Sequence, residues 1–378
     1  MRLLELQAES DSLRACEAIG RGVPDANLRG WAALVPPGAR TVAEGLRQSG
    51  LTVLQGTRAA LALGSLAQIW SAARSIADGL EGESARTAAR LLMERAAHVE
   101  SPQPASAWRL PRSKLAAGRT LVMGIVNATP DSFSDGGAYD PLAQALRLAE
   151  QGADILDIGG ESTRPGAPAV SAAEERARTE PLIRALGGRL QNIPLSIDTT
   201  KSEVASAALD AGAEIVNDVS GLARDPQMAR SARGAALCLM HMRGTPADMQ
   251  ARAVYADLHG EVVDELAKAL QRARDAGFSG EQVALDPGLG FAKTGPQNLV
   301  LMRRLRELTQ LGRPLLVGAS RKSFIGAATG RSAPERLFGS LAAAAICATQ
   351  GAAILRVHDV AATREALAVA DAVRTSGG

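Results

Sequence analysis

The chain reads as an α/β protein, a closed TIM (β/α)8 barrel preceded by a small α+β domain. Three observations predict it. From Leu121 onward, eight short apolar runs alternate with eight stretches of helical periodicity over about 260 residues, close to the roughly 250 that such a barrel takes. The runs lack the polar alternation of half-exposed strands, so they suit strands buried on both faces. Ser101–Ala107 (SPQPASA), two prolines among small polar residues, separates this region from a first hundred residues of different rhythm. The domains are therefore placed at 1–103 and 104–378. An open, doubly wound sheet shares the alternation and is the alternative.

In the first domain, strands are expected at Leu28–Val35 and Leu51–Leu54, and helices at Thr41–Gln48, Thr57–Ile76 and Glu83–His98. It has no glycine-rich phosphate loop, no paired His or Cys, and no nucleophile beside a base, so its residues reveal no role. A lone His98 on a helix reads as structural. Beyond the linker, Trp108–Arg119 leads into the barrel.

The barrel strands are expected at Leu121–Val126, Ile155–Ile158, Pro194–Ile197, Glu214–Asn217, Ala235–Met240, Gln282–Leu285, Leu315–Val317 and Ile354–Val357. The helices are expected at Pro141–Gln151, Ser171–Leu186, Lys201–Ala211, Pro226–Ala232, Asp257–Ala276, Gln297–Gln310, Pro334–Gln350 and Ala361–Val373. The tripeptides at Gln151–Ala153, Ala211–Ala213 and Gln350–Ala352 place a glycine where a helix must turn into the next strand.

Composition excludes several classes. A net charge of +2 on 378 residues makes no electrostatic case for nucleic acid or an anionic membrane. Aromatics at 3% are too few for base-stacking platforms. Cys16, Cys238 and Cys347 are far apart and lack metal spacing, which suits reduced thiols in a cytoplasmic protein. The first residues carry acids and no long apolar core, so no secretion signal is expected. No stretch reaches the ~18 apolar residues of a membrane span.

In such barrels the site lies at the C-terminal ends of the strands. Here those ends are rich in polar residues. The first run, LVMGIVNATPDSFSDGG, delivers Asn127 and then a polar loop with Asp131 and Phe133. The second delivers Asp157, Thr163 and Arg164; the third Asp198; the fourth Asn217; the fifth Met240 and His241. The sixth delivers Asp286 and the loop with Phe291, the seventh Lys322 and Ser323, and the eighth Arg356 and His358. Sorted by charge, they suggest two halves. Asp198, Asn217 and Asp286 suit a flat heterocycle bearing N–H and amino donors. Asn127, Thr163, Arg164, Arg356 and His358 supply donors and cations for a phosphate, with Lys322 between the halves. Any one of these could be a satisfied ion pair or a helix cap; six or seven strands doing this together favours a site.

Gly288–Thr294 lacks the spacing of a phosphate loop and reads as a glycine-dependent turn carrying Phe291 into the pocket. Ser320 and Ser323 have no base at a motif-like distance. Four histidines without HxH or HxxxH spacing argue against a protein-held transition metal. His259, at the start of a polar helix, reads as surface.

The motifs NATPDSFSDGG, GGESTRPG, SIDTTK, NDVSG, LMHMRG, ALDPGLGFAKT, GASRKSF and RVHDV, in that order from about Trp108 to the C-terminus, resemble those of the dihydropteroate synthases of the folate pathway. The resemblance implies condensation of 7,8-dihydropterin-6-ylmethyl diphosphate with p-aminobenzoate, releasing diphosphate, with Mg²⁺ as cofactor. It assigns the pterin to Asp198, Asn217, Met240, Asp286, Phe291 and Lys322. The diphosphate falls to Asn127, Thr163, Arg356 and His358, with Asn127 toward the metal, and the aminobenzoate to Phe133, Arg164, Pro165, Lys322 and Ser323. Asp131, Phe133, Thr163, Arg164 and Lys322 form the catalytic set, and loss of diphosphate before attack by the amine accounts for the lack of a strong base or covalent nucleophile. Sulfonamides would compete with the aminobenzoate.

The resemblance also implies a homodimer. Ala128, Thr200 and Ala292 depart from the family pattern, and none removes a charged or hydrogen-bonding site residue. A pterin-dependent methyltransferase would need the heterocycle grip without the diphosphate set, and a non-catalytic pterin binder would show degraded motifs. On this reading Lys322→Ala and Arg356→Ala each remove activity and leave the fold intact.

Overall fold

The structure, a computed structural model, describes residues 1–6, 15, 30–77, 79–80, 83–128, 140–164 and 166–376. The chain divides into two compact units, Met1–Pro102 with Arg306–Gly312, and Gln103–Leu305 with Arg313–Gly378.

The first unit holds an antiparallel sheet of strands β1 (Arg2–Leu6), β2 (Gly30–Val35), β3 (Thr52–Gln55) and β4 (Ala60–Gly64), in the order β1-β2-β4-β3. Helices α1 (Arg40–Gln48), α2 (Leu66–Ala77) and α3 (Glu83–Glu100) join it, over a core that includes Trp31, Val42, Leu46, Ile69 and Leu92. Two expectations change. Strand β1 was not foreseen, and the helix expected over Thr57–Ile76 starts only at Leu66, because its first part forms β4. The apolar run ALALG suits a buried strand as well as a helix, and pairing with β2 and β3 decides between them. Ser65 then restarts the chain as a helix through a reciprocal cap with Gln68, N–H to Oε1 at 2.8 Å and N–H to Oγ at 3.2 Å.

The second unit is the barrel. Among the described residues its strands are β5 (Leu121–Asn127), β6 (Ile155–Gly159), β7 (Leu195–Asp198), β8 (Ile215–Asp218), β9 (Ala236–Met240), β10 (Val283–Asp286), β11 (Leu315–Val317) and β12 (Ala352–Val357). Every neighbouring pair is parallel, and β12 pairs with β5 to close the ring. Closure settles the choice against an open sheet.

Helices α4 (Pro141–Glu150), α5 (Ala172–Gly187), α6 (Ser202–Ala211), α7 (Met228–Ser231), α8 (Leu258–Asp275), α9 (Gly295–Arg303), α10 (Ser323–Thr329), α11 (Leu337–Thr349) and α12 (Val360–Thr375) fill the connections. The helix expected over Gln297–Gln310 is instead α9 followed by a 3₁₀ stretch, Leu305–Leu311. The seven-residue α10 was not foreseen as an element. Gly152, Gly212 and Gly351 adopt φ of 91°, 121° and 97°, the left-handed turn expected of them.

The N-terminal end of the barrel is plugged by the segment before β5. Trp108 is buried there with Leu121, Met123, Ile155 and Ile354, and its indole N–H donates to Gln282 O at 3.0 Å. The apolar layer fills one end, so the polar inward positions fall at the other.

Candidate active site

The register brings the polar residues together. Asp157 on β6 stands beside Ser196, Asp198 on β7 beside Asn217, and Met240 on β9 beside Asp286. Asp198 and Asp286 are 8% and 5% exposed, and Asp157 is fully buried. Carboxylates this close in a low-dielectric interior need a counter-charge, and Arg356 supplies it. Its Nε donates to Asp157 Oδ2 at 2.6 Å and its Nη2 to Asp198 Oδ2 at 2.7 Å. Asn217 Nδ2 donates to the same Asp157 oxygen at 3.0 Å, which turns its own carbonyl oxygen away from that bond. Asp198 Oδ1 and Asp157 Oδ1 are buried without a protein partner.

Arg356 thus links the two halves into which charge sorted the site. The sequence predicts Arg356 among the diphosphate ligands; its guanidinium lies between Asp198 of the acidic half and Asp157 beside it. Burial alone would lower its pKa, but Asp157 and Asp198 outweigh that and raise it. Asp198 is pushed up to about 7 by burial, against the pull of Arg356.

The turn after β10 forms the next wall. Asp286 Oδ1 accepts from Gly288 N at 2.7 Å, and burial raises this carboxyl against the pull of Lys322. Lys322, just before α10, donates to Leu289 O and holds its Nζ 4.6 Å from the centre of the Phe291 ring. Burial lowers its pKa to about 8, offset in part by Asp286. Beneath the turn lies Lys293, whose Nζ donates to His241 Nδ1 at 2.8 Å. Sequence reasoning missed it; a lysine in a glycine-rich turn gave no sign that its charge would be buried.

On the other side, His358 accepts or donates at Nδ1 with Ser320 Oγ, 3.0 Å away. The sequence predicts it as a cation. Burial, with Arg356 and Arg321 nearby, lowers its pKa to about 4, so it is a neutral imidazole at pH 7. Asn127 closes β5, half-buried. Met240 is buried at the end of β9, and Ser323 is exposed at the start of α10. Thr163 is half-buried and Arg164 exposed in the loop after β6. That loop is pinned by a pairing the sequence did not suggest: Lys201 Nζ bridges Glu161, at 2.7 Å, and the buried Glu175. A cleft lined by Thr163, Asp198, Thr200, Arg224 and Thr245 opens beside Asp198. Asp131, Phe133 and Pro165 lie outside the described residues. His259, expected at the surface, is buried with Nε2 3.1 Å from Arg304 O.

Residues 123–358 match the family described as pterin binding enzyme. The chain belongs to that family. Over 262 residues it is 50% identical to the dihydropteroate synthase of Synechocystis sp., which spans 68% of this chain and 90% of that protein. Among solved structures, dihydropteroate synthase of Burkholderia cenocepacia complexed with 7,8-dihydropteroate superposes with a TM-score of 0.64 at 46% identity, covering 71% of this chain and 96% of that one. The enzyme of Xanthomonas albilineans with 4-aminobenzoic acid superposes with a TM-score of 0.64, also at 46% identity, over 68% of this chain and 94% of its own. Residues 1–122 precede the matched region.

Proposed function

We propose that this enzyme condenses 7,8-dihydropterin-6-ylmethyl diphosphate with p-aminobenzoate to give 7,8-dihydropteroate and diphosphate, a step of folate biosynthesis. The observation that carries the reading is the acceptor cluster at the barrel mouth. Asp198 Oδ1 is buried without a protein partner, Asn217 is held with its N–H₂ on Asp157, and Asp286 is the register partner of Met240. Acceptors on β7, β8 and β10, around Met240 on β9, suit a ring that offers amino and N–H donors, and a buried carboxylate gains most from such a partner. The relatives named for this reaction, and the bound 7,8-dihydropteroate and 4-aminobenzoic acid in two of the neighbours' structures, support the same substrates.

In this reading Asp198, Asn217 and Asp286 grip the pterin, Met240 and Phe291 pack on its faces, and Lys322 spans pterin and aminobenzoate. The C–O bond to the diphosphate breaks first, leaving a cation delocalised over the pterin at its methylene. The carboxylates of Asp198 and Asp286 favour that cation. Arg356, already shared with Asp157 and Asp198, has further N–H groups for the leaving anion, and neutral His358, Thr163 and Asn127 add donors. The aminobenzoate amine then attacks the methylene and loses its proton. Arg164, Pro165, Phe133 and Ser323 shape the aminobenzoate pocket, and Asp131 and Phe133 belong to the loop that excludes water.

Mg²⁺ belongs to this proposal. Among the described residues no group of three His, Cys, Asp or Glu could hold a metal. The amide oxygen of Asn127, at the end of β5, is a hard donor of the kind a cation that keeps several waters and takes oxygens from a substrate phosphate would use as the protein's contribution. When bound, it would neutralise charge on the departing diphosphate.

The reading extends to a homodimer and a cytoplasmic location. Phe338 and Ile346 on α11 and Val369 and Val373 on α12 are exposed, Phe338 by 81%, and these two helices pack side by side. Such an apolar face supports self-association. Cys238 and Cys347 are buried free thiols, and among the described residues no helix is long and apolar enough to cross a membrane; both support the location.

The test is diphosphate release by the full chain with Mg²⁺ and both substrates. Release that depends on p-aminobenzoate, with dihydropteroate formed in equal amount, is expected; its absence overturns the reading.

A further inference from the structure

We propose that Lys293 is a positioning residue for the pterin half of the site, the inner end of a chain Lys293–His241–Glu265–Arg243–Tyr255 that fixes the turn between Asp286 and Thr294. The inference deepens the function proposed above and rests on it.

Side chains take five consecutive carbonyls of the turn. Lys293 Nζ donates to Gly288 O at 3.1 Å and to Phe291 O at 3.0 Å. Lys322 takes Leu289 O, Gln250 Nε2 reaches Gly290 O at 3.4 Å, and Tyr255 OH donates to Ala292 O at 2.9 Å. The turn's own backbone contributes one bond, Phe291 N to Gly288 O at 3.0 Å. Its shape is therefore imposed from outside. It also contains Ala292 at φ 49°, where an L-residue is strained, so the shape would relax if the side chains let go.

Lys293 is 2% exposed. An ammonium has three N–H bonds, and here three good acceptors meet it: Gly288 O, Phe291 O and His241 Nδ1. Those acceptors suit the ammonium form, which burial opposes by lowering the Lys293 pKa to about 7. Because His241 accepts at Nδ1, its proton sits on Nε2, which donates to Glu265 Oε2 at 3.0 Å. The imidazole thus lies between the buried Lys293 amine and the Glu265 carboxylate. Glu265 also holds Arg243, Nε to Oε1 at 3.1 Å, and the Arg243 guanidinium sits 4.1 Å over the Tyr255 ring. Tyr255 then returns to Ala292, next to Lys293 in sequence. The circuit closes on the turn that carries Phe291 and steadies Asp286 through Gly288 N.

Lys293→Met and Glu265→Gln in the full chain test this, with steady-state kinetics for both substrates and calorimetric binding of a pterin lacking the diphosphate. For folded Lys293→Met, the KM for the pterin substrate and the Kd for the pterin rise at least fivefold, while the KM for p-aminobenzoate changes less than threefold. Glu265→Gln, at the far end of the imidazole, raises the pterin Kd at least twofold. A purely structural role would lower the active fraction and move neither KM. Smaller pterin effects in the folded Lys293→Met variant overturn the proposal; if that variant does not fold, a change below twofold in Glu265→Gln does so. Wild type that binds the pterin but releases no diphosphate overturns the proposed reaction and leaves the comparison of Kd values to decide on Lys293.

Discussion

Arg356 Nη2 lies 2.7 Å from Asp198 Oδ2, joining strands β12 and β7 through the interior of the barrel. The same guanidinium holds Asp157, so one cation stabilises two buried carboxylates while one oxygen of each is left without a protein partner. A site built this way is poised between folding and binding: the groups that would meet a ligand are also those whose burial must be compensated.

Removing that cation should therefore harm the fold as well as the activity. Breaking a buried pair strands its partner, at a cost of about 3 kcal/mol or more. Arg356→Ala is expected to lower the melting temperature by roughly 6–10 °C for a unit of this size and to abolish measurable turnover. Arg356→Lys should recover part of the stability but not the forked geometry. Thermal melting followed by circular dichroism checks it, and an unchanged melting point in Arg356→Ala would show that the pair contributes nothing. For Lys322→Ala, which removes a cation held by a carbonyl and a ring face, the expected loss is in activity with little change in melting.

Activity should be confined to a narrow pH range. Asp198 must be ionised to accept from the pterin, and its pKa is raised to about 7, so kcat/KM falls as pH drops through about 7. Lys322 must be protonated, and its pKa is lowered to about 8, so kcat/KM falls as pH rises through about 8. The two limbs belong to the coupled site and not to isolated groups. A pH–rate profile measures them. Lys322→Arg should remove the limb near 8, and persistence of that limb in the variant would assign it elsewhere, with Lys293, whose pKa is lowered to about 7, the nearest other lysine of the turn.

Ala292 offers a stabilising change. It occupies φ 49° and is buried, a conformation that costs a non-glycine residue about 1–2 kcal/mol, whereas glycine loses roughly 0.5–1 kcal/mol through its freer unfolded chain. Ala292→Gly should raise stability by up to about 1 kcal/mol, measured by denaturant unfolding. A drop in stability would mean that the alanine methyl packs better than its backbone angle suggests.

The apolar face of α11 and α12 makes the oligomeric state testable. Phe338→Asp together with Ile346→Glu should shift the protein from dimer to monomer in sedimentation equilibrium, with each folded barrel intact. Wild type that sediments as a monomer would sink the dimer.

The alternation of apolar runs with helical stretches was enough to read the barrel, because strands buried on both faces and glycine C-caps leave local marks. The strand ends could be read for the same reason: Asp198, Asn217 and Asp286 each close an apolar run. The pairings could not. Arg356 and Asp198 are 158 residues apart along the chain, and nothing local in either strand says which acid a guanidinium will meet once the ring closes. Charge sorting put Arg356 with the phosphate-facing donors and gave no sign that it would also hold Asp157 and Asp198, because desolvated carboxylates draw in a cation only once the barrel has closed. Lys293 was invisible for a related reason: its partners are backbone carbonyls and a histidine from another strand, and burial created its role. Residue types and their order are properties of the chain; the dielectric around them, and hence which charges must pair, exists only after the barrel has folded.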